Sequence, residues 1–218
     1  MFKGKFVALT LIAAALLCWQ VLPVDTAHSG IIDPCSTTAN SLGGCYFVCP
    51  AGDAADLSDF SGTIFVTVKE ASGLAIPGIP AADFWLMGCL DNLDLCAGAA
   101  AIGADSASNA SGQTTISGSL AASGCELAGL SVVIQGVVVA DPLNCDNNLC
   151  LNLVTVSPDI DGNGGIIDGV VDILDLAAFA PDYTSPPKPY VQCIDFNCDG
   201  LVDIIDFSLF AQHYTYNC

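Results

Sequence analysis

Two hydrophobic rhythms run along this chain. From about Ile31 to Val156, apolar and polar residues alternate over short runs, the period of strands with one buried face, and Gly, Pro, Asn and Ser punctuate them. Residues 62–69 set Ile64, Val66 and Val68 on one side before the turn-rich stretch 71–78 breaks the pattern. Residues 83–87 and 114–120 are further runs. Residues 130–140 read as one strand with Leu130, Val132, Ile134 and Val138 on one face, and residues 149–156 place Leu149, Leu151 and Leu153 together. With no convincing amphipathic helix in this part, the runs predict an antiparallel β-sandwich. Further on the rhythm changes, and Ile205, Phe207, Leu209 and Phe210 recur at helical spacing.

The first residues follow neither rhythm. Lys3 and Lys5 make a basic head, residues 6–17 an apolar core, and Ala27 and Ser29 offer small residues for cleavage, so 1–29 reads as an export signal. A retained membrane anchor is the alternative, since the apolar run reaches Leu22. A lipoprotein reading through Cys18 is weakened by Leu17 before it. Residues 130–140 are apolar but too short to cross a bilayer. The predicted layout is a signal over 1–29, a β-sandwich over 30–156 and a second module over 157–218.

That second module contains one phrase written twice. Residues 169–183 (GVVDILDLAAFAPDY) are answered by 200–214 (GLVDIIDFSLFAQHY), each after a run rich in Asp, Asn and Gly. In the second copy Asp195, Asn197, Asp199, Gly200 and Asp206 fall at positions 1, 3, 5, 6 and 12 of a loop. A calcium ion takes six to eight oxygens, which alternate residues of a coiled loop can supply. Glycine at the sixth place allows the sharp turn, Leu201 offers its backbone carbonyl, Asp203 ligates directly or through water, and Asp206 closes the sphere from the first turn of a helix. Val202 at the eighth place points into the core. The first copy is regular at its end, with Asp172 and Asp175 at the ninth and twelfth places, but seventeen residues span what should be twelve. Either Asp159, Asp161 and Asn163 open the loop and residues 165–169 bulge out, or Asp161, Asn163 and Asp168 open it; the intact opening after Ser157-Pro158 favours the first.

Two such units joined by the Pro-rich link 184–190 resemble a type I dockerin domain over 157–218. The resemblance implies a calcium-dependent fold with a helix after each loop and docking to a cohesin module on a scaffold of glycan-degrading proteins. It departs from the family at the tenth and eleventh places, where Ile173-Leu174 and Ile204-Ile205 stand instead of small hydroxyl-bearing residues, and basic residues are missing from the helices. Docking of the repeats against the preceding domain is therefore open as an intramolecular use. In the middle of the chain, residues 66–78 together with 109–115 resemble bacterial immunoglobulin-like modules of surface adhesins, which implies a spacer or a binding surface.

Charge sharpens this. Twenty-three acidic residues, 21 of them Asp, face four Lys and no Arg, a formal net charge of −19. Such a chain is repelled by phosphate backbones and anionic membranes, which removes nucleic acid as a partner. Residues 157–218 hold ten Asp against Lys188 alone, so cation binding there is expected to supply folding energy. Twelve cysteines beside an export signal predict disulfides in an oxidising space, with candidate partners close in sequence such as Cys89 with Cys96, Cys145 with Cys150 and Cys193 with Cys198. A zinc site is disfavoured because no histidine lies near these clusters. Eleven cysteines remain after the signal, an odd number, so one is a thiol or bridges chains.

Little in the chain suggests catalysis. After the signal the sole histidine is His213, a helix-end residue, and the two glutamates, Glu70 and Glu126, sit at apparent loop or strand ends. Phe84, Trp85 and Met87 alternate around a strand, and Trp85 is either core or a platform for a sugar ring. Asn109-Ala-Ser111 matches a glycosylation acceptor in a loop. The expectation is an exported, non-catalytic, calcium-binding surface or adhesion protein. Its partner is a cohesin-like or cell-surface protein, with a polysaccharide as the other candidate. The alternatives are a non-catalytic subunit of a polysaccharide-degrading assembly and a small glycosidase using Asp or Glu.

Overall fold

The computed structural model describes residues 30–51, 56–90, 92–96, 103–139, 150–160, 167–183 and 193–218. The predicted signal 1–29, the link 184–190, Leu149, Cys145, Asp161 and Asn163 lie outside the described residues. The chain is mainly β. In order, its elements are β1 (Thr38–Asn40), β2 (Gly44–Phe47), β3 (Ile64–Thr67), β4 (Phe84–Gly88), β5 (Leu93–Leu95), β6 (Gln113–Ile116), β7 (Ala122–Glu126), β8 (Leu130–Ile134), β9 (Val137–Val138), β10 (Leu153–Val156), α1 (Ile173–Tyr183) and α2 (Ile204–His213). No described helix is long and apolar enough to cross a membrane.

The strands form three sheets, ordered β1-β3-β6, β2-β10-β7-β5 and β4-β8-β9, around one apolar core. Alternation explains the inner rows. Ile64, Val66 and Val68 are at most 1% exposed, as their spacing requires, while Phe65 between them is turned outward. Phe84 and Leu86 are buried, whereas Trp85 on the opposite face is half-buried.

Three parts of the strand prediction are corrected. Residues 130–140 are not one strand: Gln135 and Gly136 both take positive φ (51° and 85°) and turn the chain into a two-residue hairpin, with Ile134 opposite Val137. Val138 therefore belongs to the returning strand and not to the row of Leu130, Val132 and Ile134. The antiparallel expectation also fails in one place, since β10 runs parallel to β2, pairing Leu153 with Gly44 and Val156 with Phe47. Residues 114–120 contribute strand only as far as Ile116.

The parallel pair is covered on both sides, as parallel strands usually are. Leu153 and Tyr46 face the first core; Cys45, Phe47, Val154 and Val156 face a second one. That second core is completed by Val171, Phe179, Ile194, Phe196, Val202 and Phe210 from the repeated segment. Phe179 lies against Phe196 and Phe210 with ring centroids 5.8 and 5.9 Å apart, and Phe47 meets Phe196 edge-on at 5.8 Å. The loop-helix tail is thus packed on the outer face of the β2-β10-β7-β5 sheet.

The disulfides reinforce that junction. Cys45 pairs with Cys198, Cys125 with Cys193 and Cys96 with Cys218, each joining a residue of the sheets to the tail, while Cys89 pairs with Cys150. The short-range pairs Cys89–Cys96, Cys145–Cys150 and Cys193–Cys198 do not form. The reason is topological: the tail lies across β2 and β7, so sequence neighbours find partners 153 and 68 residues away. Cys49 is completely buried. Cross-links over such long loops each contribute on the order of 2–4 kcal/mol by restricting the unfolded chain. Peptide mapping without reduction is expected to recover fragments joining Cys45 to Cys198 and Cys125 to Cys193; a fragment joining Cys193 to Cys198 would contradict this layout.

Candidate metal centre

The second loop is built by its own acids. Asp206 is buried in the first turn of α2 and accepts from the backbone N–H groups of Phe196 (2.7 Å), Asn197 (3.2 Å) and Asp203 (2.8 Å). Asp203, the helix N-cap, accepts from Ile205 N–H at 2.7 Å, so the two aspartates cap the helix reciprocally. Asp195 Oδ2 accepts from Gly200 N–H at 2.9 Å, and Gly200 takes φ +88°, a conformation that costs other residues about 1 kcal/mol or more. Asn197 Oδ1 and Asp199 Oδ1 each accept from the N–H two residues on, at 3.1 and 2.9 Å, the local turns these side chains favour. Val202 is buried and Leu201 exposed; with no donor atom in its side chain, Leu201 could offer an ion only its backbone carbonyl.

The first loop repeats this geometry. Asp175 is fully buried and accepts from Ile160 N–H and Asp172 N–H, both at 2.8 Å, the counterparts of Phe196 and Asp203. Asp159 Oδ2 accepts from Gly169 N–H at 2.8 Å, and Gly169 has φ +79°, as Asp195 and Gly200 do in the second loop. Asp172 Oδ1 caps Leu174 N–H at 2.7 Å. The equivalence aligns Asp159 with Asp195 and puts the extra residues between Asp159 and Gly169; Asp168 there holds Val170 N–H at 3.0 Å. The loop opens on the sheet itself, because Gly124 N–H of β7 donates to the Asp159 carbonyl at 2.9 Å.

Burial raises the pKa of one acid in each loop. Asp159 is pushed up to about 6 by desolvation first; Ser123 lowers it, the Asp175 and Asp168 charges raise it and the Gly169 hydrogen bond lowers it. Ser123 acts from nearby without a hydrogen bond of normal geometry, and Asp159 Oδ1 is left buried with no hydrogen-bond partner. Asp206 is also raised, by burial above all, although the amides of Asp203, Asn197 and Phe196 oppose the shift. An orphaned buried carboxylate oxygen and an all-oxygen donor set fit a hard cation. Among the described residues no three His, Cys, Asp or Glu side chains are gathered as a ready cage. Asp195, Asn197, Asp199, Asp203 and Asp206 each turn oxygens to backbone amides.

Other singled-out residues have structural engagements. His213 stands in the last turn of α2, its Nδ1 2.7 Å from Leu209 O and its ring 4.9 Å from Phe47. Glu126 is buried and accepts from Leu90 and Ala128 N–H at 2.8 and 2.9 Å, while Glu70 accepts from Ser72 Oγ at 2.7 Å. Asn109 Oδ1 holds a turn through Ser111 and Gln113 N–H. Sequence reading missed Ser123 and Gly124 beside the first loop. The small run Ala121-Ala-Ser-Gly124 before Cys125 was their available signal.

Fold and loops together define a mainly β, disulfide-stapled chain with two Asp-rich loop-helix units. No protein-family model matches the chain, and no curated protein matches it. Among solved structures, a chain of a crystallised type II cohesin–X-dockerin complex from Acetivibrio cellulolyticus, a C-terminal interface mutant, is similar at 15% identity. The similarity covers 83% of this chain and 96% of that one with a TM-score of 0.27, a level that defines no common fold.

The raised Asp159 pKa has a definite sign. Its folded value near 6 exceeds the unfolded value near 4, so the group favours the folded state below about pH 4 and that contribution is lost as pH rises through about 6. In EDTA, replacing Asp159 by Asn should flatten the fall in stability between pH 4 and 7 relative to the unaltered chain. Urea melts across that range check it, and parallel curves would contradict it.

Proposed function

We propose that the chain is an exported, non-catalytic, calcium-binding surface protein in which the repeated loops hold two calcium ions. Asp195, Asn197, Asp199, the Leu201 carbonyl, Asp203 and Asp206 would hold one ion, and Asp159, Asp161, Asn163, Asp172 and Asp175 the other. The observation that carries this is the repetition of one hydrogen-bond pattern, first acid to glycine and last acid to residues 2 and 9, in two loops of different length. A bound divalent ion supplies positive charge where the carboxylates crowd. The chain's own contribution is orientation: backbone amides aim the first and last acids of each loop, and the helix N-termini favour Asp175 and Asp206.

In this reading the tail is a dockerin-like module set on an immunoglobulin-like sandwich, outside the cell. The four described disulfides support an oxidising compartment. The structural engagements of His213 and Glu126 support a role without catalysis.

A second reading, a subunit of a polysaccharide-degrading assembly held through a cohesin-like partner, is favoured by one feature. Ile173, Leu174, Ile204 and Ile205, at the tenth and eleventh places of the loops, are 58, 41, 62 and 50% exposed. Apolar pairs so open to water suit a protein partner. Capture by an immobilised cohesin that fails for Ile204→Asp would support it.

The calcium reading is tested on the whole mature chain, since the tail's cysteines find their partners in the sandwich. Calorimetry should show two sites, and Asp199→Ala, at an exposed position, should weaken one by about tenfold or more. EDTA should lower the melting temperature. No calcium uptake, or melting unmoved by chelator, would overturn it. Asp206→Ala is the poorer probe, because it also strands three backbone N–H groups at roughly 1–3 kcal/mol each.

A further inference from the structure

The outer face of the β1-β3-β6 sheet takes no part in either core. Its register sets Asn40, Phe65 and Thr115 in one row and Thr38, Thr67 and Gln113 in the next. None of the six is charged, in a chain whose formal net charge is −19. With strands roughly 4.8 Å apart and same-face residues roughly 6.8 Å apart, the array covers roughly 10 by 7 Å.

Phe65 stands 56% exposed at the middle of its row. One exposed ring is ordinary on a protein surface. Here, however, it lines a groove of about 360 Å³ together with Thr67, Ser106, Asn109, Gln113 and Thr115. The groove's polar groups are held ready. Asn109 Oδ1 accepts from Ser111 and Gln113 N–H at 2.8 and 3.0 Å, which fixes the amide so that its Nδ2 donors are the part left over. Thr115 Oγ1 donates to Asp105 Oδ2, leaving its lone pairs. Asp105, the acid at the rim, is itself occupied by Thr115 and by Ser117 N–H at 3.1 Å.

An aromatic plane flanked by uncharged amides and hydroxyls selects a neutral ligand with one apolar face and a rim of hydroxyls. An anion is repelled by the chain and meets no cationic group in the groove; a purely apolar partner would find one ring among polar side chains. A pyranose has both required surfaces: C–H groups on its face for the ring, and hydroxyls for Asn109, Gln113 and the threonines.

We propose that this face binds a neutral oligosaccharide, with a sugar ring stacked on Phe65 and its hydroxyls bonded by Asn109, Gln113, Thr67 and Thr115. The site is separate from the acidic loops and goes beyond the calcium reading. Calorimetry of the mature chain with hexasaccharides of β-1,4-linked glucose, xylose and mannose tests it. Binding to at least one is expected, weakened about fivefold or more by Phe65→Ala and by Gln113→Ala and retained in Phe65→Tyr, with circular dichroism and calcium titration unchanged. Failure of all three sugars to bind, or binding indifferent to Phe65→Ala, overturns the proposal.

Discussion

The molecule depends on a sheet that cannot be left open on its outer side. Cys45, Phe47, Val154 and Val156 form an apolar surface on the parallel pair β2 and β10, and the tail is what keeps water from it. Phe196 and Phe179 supply the cover, and the Cys45–Cys198 and Cys125–Cys193 bonds fix its position. A β-sheet with one unfinished face and a tail too small for a core of its own complete each other.

This arrangement explains where the acids go. A tail with ten Asp and Lys188 could not collapse on a core while its carboxylates repelled one another in bulk water. They are placed at loop bases, where helix caps and backbone amides meet them, and the buried ones, Asp159, Asp175, Asp195 and Asp206, line the two loops. Disulfides enter at the same bases: Cys193 and Cys198 flank Asp195, and Cys218 lies against Gly169 through its backbone N–H. Cross-links and aspartates thus share the task of holding short irregular backbone in place.

Much of this was legible along the chain, for identifiable reasons. Ile64, Val66 and Val68 announce their strand because their alternation is local. The second loop is readable because Asp195 through Asp206 lie in one unbroken register, and Val202 is buried as its place demands. What escaped is nonlocal. The Gln135-Gly136 hairpin hides inside a mostly apolar run, because glutamine seldom takes positive φ. The parallel pairing of β10 with β2 and the long-range disulfides depend on where the tail lies, which no spacing records. Val154 and Val156 look like an ordinary strand face turned to solvent; only the tail's arrival makes them core.

The unity of tail and sheet is most directly tested by native-state hydrogen exchange of the oxidised chain. The amides of Val48 and Val156 on the sheet, and of Phe196, Asp203 and Val171 in the tail, should open together with one free energy and one denaturant dependence. Tail amides exchanging through a separate, easier opening while the sheet stays protected would contradict it.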